Sequence, residues 1–409
     1  MKKNFGPLQN IQVLDLSRIM AAPWASQLLA DMGATVIKVE RPEYGDDTRA
    51  WGPPFLKDEH GTETRESGYF LSVNRGKKSI TVALNTPEGQ KIIRDLAAKS
   101  DIVLENFKTG ALSKYGLDYE SLKQINPQLI YCSVTGFGQN GPRQNEAAYD
   151  FLIQAMGGLM SVTGESDDKP GGGPQKVGIP IVDLMTGMYT AVAVLAALNH
   201  RRDTGTGEYI DLAMLDVQTA ILSNQAMNYL VSGNTPVRRG NAHPNIQPQD
   251  VYHCQDGQVI LAVGNDKQFA SLCHALGLDE LAQDTRFVVN AQRAKNVQAL
   301  SAILQQTFLQ WTREKLVQTL SLAGVPCGPI NSVAEVFDEP QIRHRNMLRH
   351  LQNSAGVSVP QVVCPINFSE ASLRFDQAPP LLGEHTEQVL SELGYSAQQI
   401  KSLRQSNTI

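Results

Sequence analysis

The sequence predicts an α/β protein: a parallel sheet covered by helices, joined to a smaller α+β unit. Two observations carry this expectation. The first 135 residues alternate short β-branched runs with helical ones, the pattern of successive βαβ units. Further on, residues 232–248 are rich in Gly, Asn and Pro and read as a linker, after which a hairpin pattern leads into helices.

Five strands are legible in the first part, at Ile11 to Leu16, Thr35 to Val39, Ser79 to Leu84, Ile102 to Leu104 and Leu129 to Val134. Between the first two, Pro23 is placed to open a helix, Leu28, Leu29 and Met32 give it an apolar face, and Gly33 can close it. Thr86-Pro87-Glu88 reads as the cap and first turn of another helix, which runs through Ile92, Ile93 and Leu96. Glycines crowd the chain from Gly136 to Gly173, where strong helix formers are few, and this reads as loops around a site. A helix beginning near Asp183 carries a small and apolar run from Gly187 to Leu198, so it is expected to be buried on most sides. Glu208 to Leu212 then reads as a strand and Met214 to Leu230 as one helix. In the second unit Tyr252 to Cys254 is expected to pair with Val259 to Val263 around Gln255-Asp256-Gly257, and the tail carries an amphipathic helix near Thr386 to Leu393.

At 409 residues the chain exceeds one simple core, since domains commonly hold about 100 to 200 residues. Apolar residues make up 42% and charged ones 19%, which excludes the disordered class. A net charge of −5 gives no overall attraction to nucleic acid or an anionic membrane, so a phosphate-bearing ligand has to be held by a local cluster of donors. The five cysteines are far apart, form no CxxC or zinc spacing, and read as reduced core thiols. The start lacks an apolar signal region, and no run approaches about 18 uninterrupted apolar residues, so a soluble cytoplasmic protein is expected.

The loop after the first strand, Ser17 to Pro23, sits where a dinucleotide fold places GxGxxG, yet it contains no glycine, which argues against NAD and FAD. In an open α/β sheet the carboxyl ends of strands line the ligand crevice, so residues just after them are candidates. Arg41 could stack on an adenine ring or stay solvated beside Glu40. The run Asn74 to Ser79 brings three cations that could meet a phosphate or form a charged edge. Asn106-Phe107, with Lys114 further on, offers an amide, an aromatic and a cation for parts of one nucleotide, or simply a capped loop. Asp183 stands at a helix start, where it could be an N-cap or a nucleophile that helix N–H groups keep ionised. No GxSxG, HExxH or P-loop is present, and His243 lies in a loop that could move or simply turn.

Several segments stand together in one order: Leu14-Asp15-Leu16 with Ala22-Pro23, Ala34 to Glu40, Gly45 to Arg49, Glu105-Asn106-Phe107, Ser133 to Gly138, Gly205 to Glu208, and Leu382 to Thr386. In these the chain resembles, over nearly its whole length, the class III CoA-transferase family of formyl-CoA:oxalate, carnitine and succinyl-CoA:dicarboxylate CoA-transferases and α-methylacyl-CoA racemases. The resemblance implies a large Rossmann-like CoA-binding domain from residues 1–225 and 340–409, a small domain with linkers at 226–339, and a homodimer of two interlocked rings. It implies Asp183 as the catalytic carboxylate, Arg41 beside the adenine, and Met20, Asn106, Phe107 and Lys114 along the CoA channel. Tyr149, Gly240, Asn241, His243 and Arg239 fall to the substrate pocket, without a metal. CoA enters as the acyl-CoA substrate, no cofactor is held permanently, and the partners are acyl-CoA and a small carboxylic acid, not nucleic acid or membrane.

Racemases of the family carry a His before an Asp where this chain reads Ala148-Tyr149-Asp150, and a tyrosine does not supply their near-neutral base. Formyl-CoA:oxalate enzymes continue after the equivalent of Gly240-Asn241-Ala242 with glycines, where this chain has the stiffer His243-Pro244-Asn245-Ile246. The expectation is an acyl-CoA:carboxylate CoA-transferase with a succinyl-CoA donor, a dicarboxylate acceptor and an aspartyl-acyl anhydride on Asp183. Arg238 or Arg239 is the candidate partner for the distal carboxylate. The alternatives are an acyl-CoA racemase or epimerase and a non-catalytic CoA-binding protein.

Overall fold

The computed structural model describes residues 6–409, so the first residues of the chain start lie outside it. The described residues fall into two compact units. One comprises residues 6–158, Gly178–Ser223 and Pro340–Ile409; the other comprises Leu159–Val177 and Asn224–Glu339.

In the first unit six strands form one sheet: β1 (Gln12–Asp15), β2 (Thr35–Glu40), β3 (Lys77–Thr81), β4 (Ile102–Glu105), β5 (Ile130–Thr135) and β6 (Tyr209–Ala213). They lie in the order β3-β2-β1-β4-β5-β6, and every neighbouring pair is parallel. This doubly wound order changes direction between β1 and β4, and that switch leaves a crevice at the strands' carboxyl ends. The α/β expectation is met.

The third strand begins at Lys77 rather than Ser79, for an electrostatic reason. Lys77 is fully buried, with Nζ 3.1 Å from Asp15 Oδ2 and further bonds to Pro23 O and Asn74 Oδ1. Arg75 is equally buried against Asp31 at 2.7 Å. The reading of this cationic run as a phosphate contact is therefore corrected for two of its three members, which are internal ion pairs. Burial by itself would raise the Asp15 carboxyl, but Lys77 and Lys38, with the hydroxyls of Ser17 and Ser26, outweigh it and leave it at about 2.

Helices α1 (Ala21–Asp31), α2 (Pro87–Ala97), α3 (Asp150–Met156), α4 (Ile181–Thr204) and α5 (Met214–Ile221) flank the sheet. Thr86 caps α2 by accepting the Gly89 N–H at 3.0 Å, and Ile92, Ile93 and Leu96 carry its buried face. Gly187 lets α4 approach α1, because a Cβ there would lie 2.6 Å from the Ala21 carbonyl oxygen. Val194 and Ala197 turn α4 toward the sheet core. Its other face is open: Met188, Tyr189 and Val192 are 41%, 42% and 60% exposed. Burial on most sides is thus not met within the single chain. The helix expected to run from Met214 to Leu230 is broken after Ile221, with Ser223 at φ 47° and a second helix over Ser223–Ser232.

The chain's tail protects the exposed edge of β3. The Gly383 N–H donates to Ser79 Oγ, the His385 N–H to Ser79 O, and the Thr81 N–H to Thr386 Oγ1, all at 2.9 to 3.0 Å. In the second unit β7 (Gln249–Cys254), β8 (Gly257–Ala262) and β9 (Cys327–Pro329) form an antiparallel sheet in the order β9-β8-β7, and Phe269, Phe308 and Leu316 lie in its core.

Replacing Asp15 by alanine leaves Lys77 buried without its counter-charge, and the expected loss of stability is about 3–5 kcal/mol. Urea unfolding of the variant measures it, and a midpoint indistinguishable from wild type would contradict the role given to the pair.

Candidate active site

The crevice is built upward from the loop after β1. Its Ser17 N–H donates to Asp15 Oδ1 at 2.9 Å. Lys38 Nζ donates to the Ser17 carbonyl at 2.9 Å and pairs at 2.8 Å with Asp46, neither side chain being exposed. Asp46 in turn accepts the Ile19 N–H, 3.2 Å from each oxygen. Ile19 needs that hold, because its φ of 71° lies in the left-handed region that β-branched residues rarely adopt. From the other side, the Arg18 N–H donates to Asn106 Oδ1 at 2.8 Å and Asn106 Nδ2 donates to Arg18 O at 2.7 Å. Asn106 thus clamps the β1 loop to the β4 loop.

Met20, Asn106, Phe107, Tyr149 and Asp183 line one cleft at the carboxyl ends of β1, β4 and β5. Arg41 lines a neighbouring cleft with Val39, Leu84 and Tyr115, and Arg18 and Phe107 border both. The Arg41 guanidinium is exposed and pairs with Asp47 at 2.5 Å. Lys114 lines neither cleft; its ammonium lies 4.7 Å from the centre of the Tyr115 ring. A long ligand could place a reactive end by Asp183 and a heteroaromatic end by Arg41.

Gly240, Asn241, His243 and Arg239 belong to the second unit. Gly240 has φ 61°, in the left-handed region that favours glycine, and the Glu165 carboxylate lies close by. His243 Nδ1 accepts the N–H groups of Asn245 and Ile246 at 3.1 and 3.0 Å, which closes a turn. Arg238 pairs with Asp167 and reaches the Glu165 carbonyl, whereas Arg239 is exposed.

Asp183 stands in the first turn of α4, three residues after Pro180, which occupies the N-cap position. It is not the cap. Asp150 supplies that function from α3: its Oδ1 accepts the N–H groups of Val182 at 2.7 Å and Asp183 at 3.2 Å. Sequence reasoning met Asp150 only as the neighbour of Tyr149, because nothing local reveals that it caps a helix 32 residues away. Burial first, and then the negative charge of Asp150, push the Asp183 carboxyl up to about 7. The expectation that helix N–H groups keep it firmly ionised is therefore corrected: the nearest of those groups serve Asp150 instead. An ionised carboxylate here, with no donor on its oxygens among the described residues, keeps its lone pairs available for attack on a carbonyl carbon.

A doubly wound sheet places its ligands at this switch-point crevice, and Asp183 lines it together with Tyr149 and Phe107. The model of CoA-transferase family III matches residues 8–386, and the chain belongs to that family. It is a CoA-transferase, and acyl-CoA is its substrate. It is 49% identical to the succinate–glutarate CoA-transferase of Agrobacterium fabrum, over 95% of this chain and 96% of that one. With the succinyl-CoA:glutarate CoA-transferase of Homo sapiens it shares 41% identity over 95% of this chain and 86% of that one. The crystal structure of a CAIB/BAIF family protein from Brucella suis matches with a TM-score of 0.85 at 50% identity, covering 96% of this chain and 100% of that chain.

With the Asp183 carboxyl raised from 3.8 to about 7, any reaction that needs its anion should lose kcat/KM as the pH drops below about 7. The same shift favours the folded state while the group is protonated, and that stability is lost as pH rises through about 7. Asp183→Asn should therefore raise Tm at mildly alkaline pH and leave it unchanged near pH 3.8. Melting curves at the two pH values decide; an equal shift at both would contradict the burial of the charge.

Proposed function

We propose that this enzyme moves CoA from succinyl-CoA to a small dicarboxylic acid by way of an aspartyl-acyl anhydride on Asp183. The observation that carries the reading is the Asp183 carboxylate itself, set in the cleft with its helix capped by another residue. An oxygen of Asp183 attacks the thioester carbonyl, the C–S bond breaks and CoA leaves as thiolate. The thiolate then attacks the Asp183 carbonyl of the anhydride, releasing succinate and leaving CoA as a thioester on the enzyme. The acceptor carboxylate displaces that thiolate to form a second anhydride, and a last thiolate attack on the acceptor's acyl carbon yields the new acyl-CoA and regenerates Asp183. Water has to be kept away, because both anhydrides hydrolyse.

The names of the two similar transferases, succinate–glutarate and succinyl-CoA:glutarate CoA-transferase, support these donor and acceptor classes. In this reading the nucleotide end of CoA runs past Phe107 to Arg41, with Lys114 at its margin. Tyr149 bears on the choice of acid from the cleft that holds Asp183, and within the second unit Arg239 rather than Arg238 is the arginine open to a carboxylate, because Arg238 is engaged by Asp167. A racemase would require a base beside Asp183, and no histidine lines that cleft among the described residues. We further propose a homodimer and a cytoplasmic setting. The open apolar face of α4, with exposed Phe151, Leu152 and Met156 on α3, supports the first, and five free thiols support the second.

Asp183→Ala should abolish succinyl-CoA:glutarate exchange while CoA still binds, and hydroxylamine added to wild type during turnover should label the peptide containing Asp183. Exchange retained by the variant would remove the reading. Sedimentation should give twice the chain mass, and a monomer active at the same dilution would contradict the dimer.

A further inference from the structure

Asp150 begins α3, yet its carboxylate serves α4. Its Oδ1 accepts the first two free N–H groups of α4, and its Oδ2 accepts Gln154 Nε2 at 2.5 Å, Gln154 being completely buried. A helix N-terminus ordinarily stabilises a nearby anion through these same N–H groups. Here they are turned to a second carboxylate, which also sets a fixed negative charge beside Asp183. Other charged groups bordering the cleft are Arg18, paired with Asp47 at 2.7 Å, Glu146, paired with Arg143 at 2.8 Å, and Lys108. The helices α1 and α5 bring only Ala21 and Met214 to it.

We propose that Asp150 is a positioning residue for CoA transfer, which withholds the α4 N–H groups from Asp183, fixes the turn that carries it, and keeps its carboxylate basic enough to be an effective nucleophile. The inference rests on the reading of Asp183 as the acylated group. Its chemical sense is that nucleophilicity rises with basicity: a carboxylate stabilised by two helix N–H groups would ionise more easily but attack a thioester more slowly. The rise of the Asp183 carboxyl to about 7, caused by burial and then by Asp150, agrees with the geometry.

The test uses the purified full chain with succinyl-CoA and glutarate, following kcat/KM across neutral pH for wild type, Asp150→Asn and Asp150→Ser. Both replacements keep an oxygen that can cap α4 and remove the charge. The expected result is an acid limb moved down by about one pH unit, with a lower plateau above it. Profiles that superimpose on wild type in whichever variant folds, judged by an unchanged near-ultraviolet circular dichroism spectrum, would overturn the proposal. Failure of the underlying reading is separate: it shows as transfer retained by Asp183→Ala, whereas an inactive Asp183→Ala with unmoved Asp150→Asn and Asp150→Ser profiles sinks this inference alone.

Discussion

The geometry of the crevice depends on a set of buried charges beneath it. Asp15, Lys77, Lys38 and Asp46 are all withdrawn from water, and each is tolerable only because an opposite charge lies within about 3 Å. These four side chains tie the carboxyl ends of β1 and β2 to β3 and to the turn after β2. The loop Ser17 to Met20 has little freedom as a result: Lys38 holds one of its carbonyls, Asp46 holds the N–H of the strained Ile19, and Asn106 grips Arg18 on both sides. Rigidity here is electrostatic in origin, and Arg18, Ile19 and Met20 form one wall of the cleft.

Set beside Asp15, Asp183 shows what neighbours do to one kind of side chain. Asp15 is fully buried and Asp183 half-buried. Asp15 is surrounded by two ammonium groups and two hydroxyls and lies at about 2; Asp183 meets another carboxylate and lies at about 7. The first arrangement makes a permanent anion suited to holding structure. The second makes an anion that its surroundings stabilise poorly, so the group holds its proton up to about pH 7.

Much of the sheet was legible because parallel strands buried on both faces read as β-branched runs, and the cap Thr86 and the break at Gly33 obey local rules. What escaped was long-range. Lys77 and Arg75 announce charge, but their partners Asp15 and Asp31 lie 62 and 44 residues away, so a buried pair looks like a surface patch. The tail segment Leu382 to Thr386 was recognisable as a motif, yet its work, covering the edge of β3, depends on a contact some 305 residues apart. Asn106 could be read as a ligand contact or as part of a capped loop; it lines the cleft and also spends one donor and one acceptor on joining two loops. For Asp183 the local sequence offers an N-cap or a nucleophile, and it conceals the environment, since the cap that takes its helix's N–H groups comes from α3.

The account stands on an oxygen of Asp183 becoming part of an anhydride, and isotope transfer tests this most directly. If turnover is run with an acceptor acid labelled with oxygen-18 in its carboxylate, the sequence of attacks leaves one labelled oxygen on the enzyme. Mass spectrometry should then find oxygen-18 in the peptide that contains Asp183. Label that passes only between the free acids and the new acyl-CoA, with that peptide unlabelled after many turnovers, would contradict the mechanism.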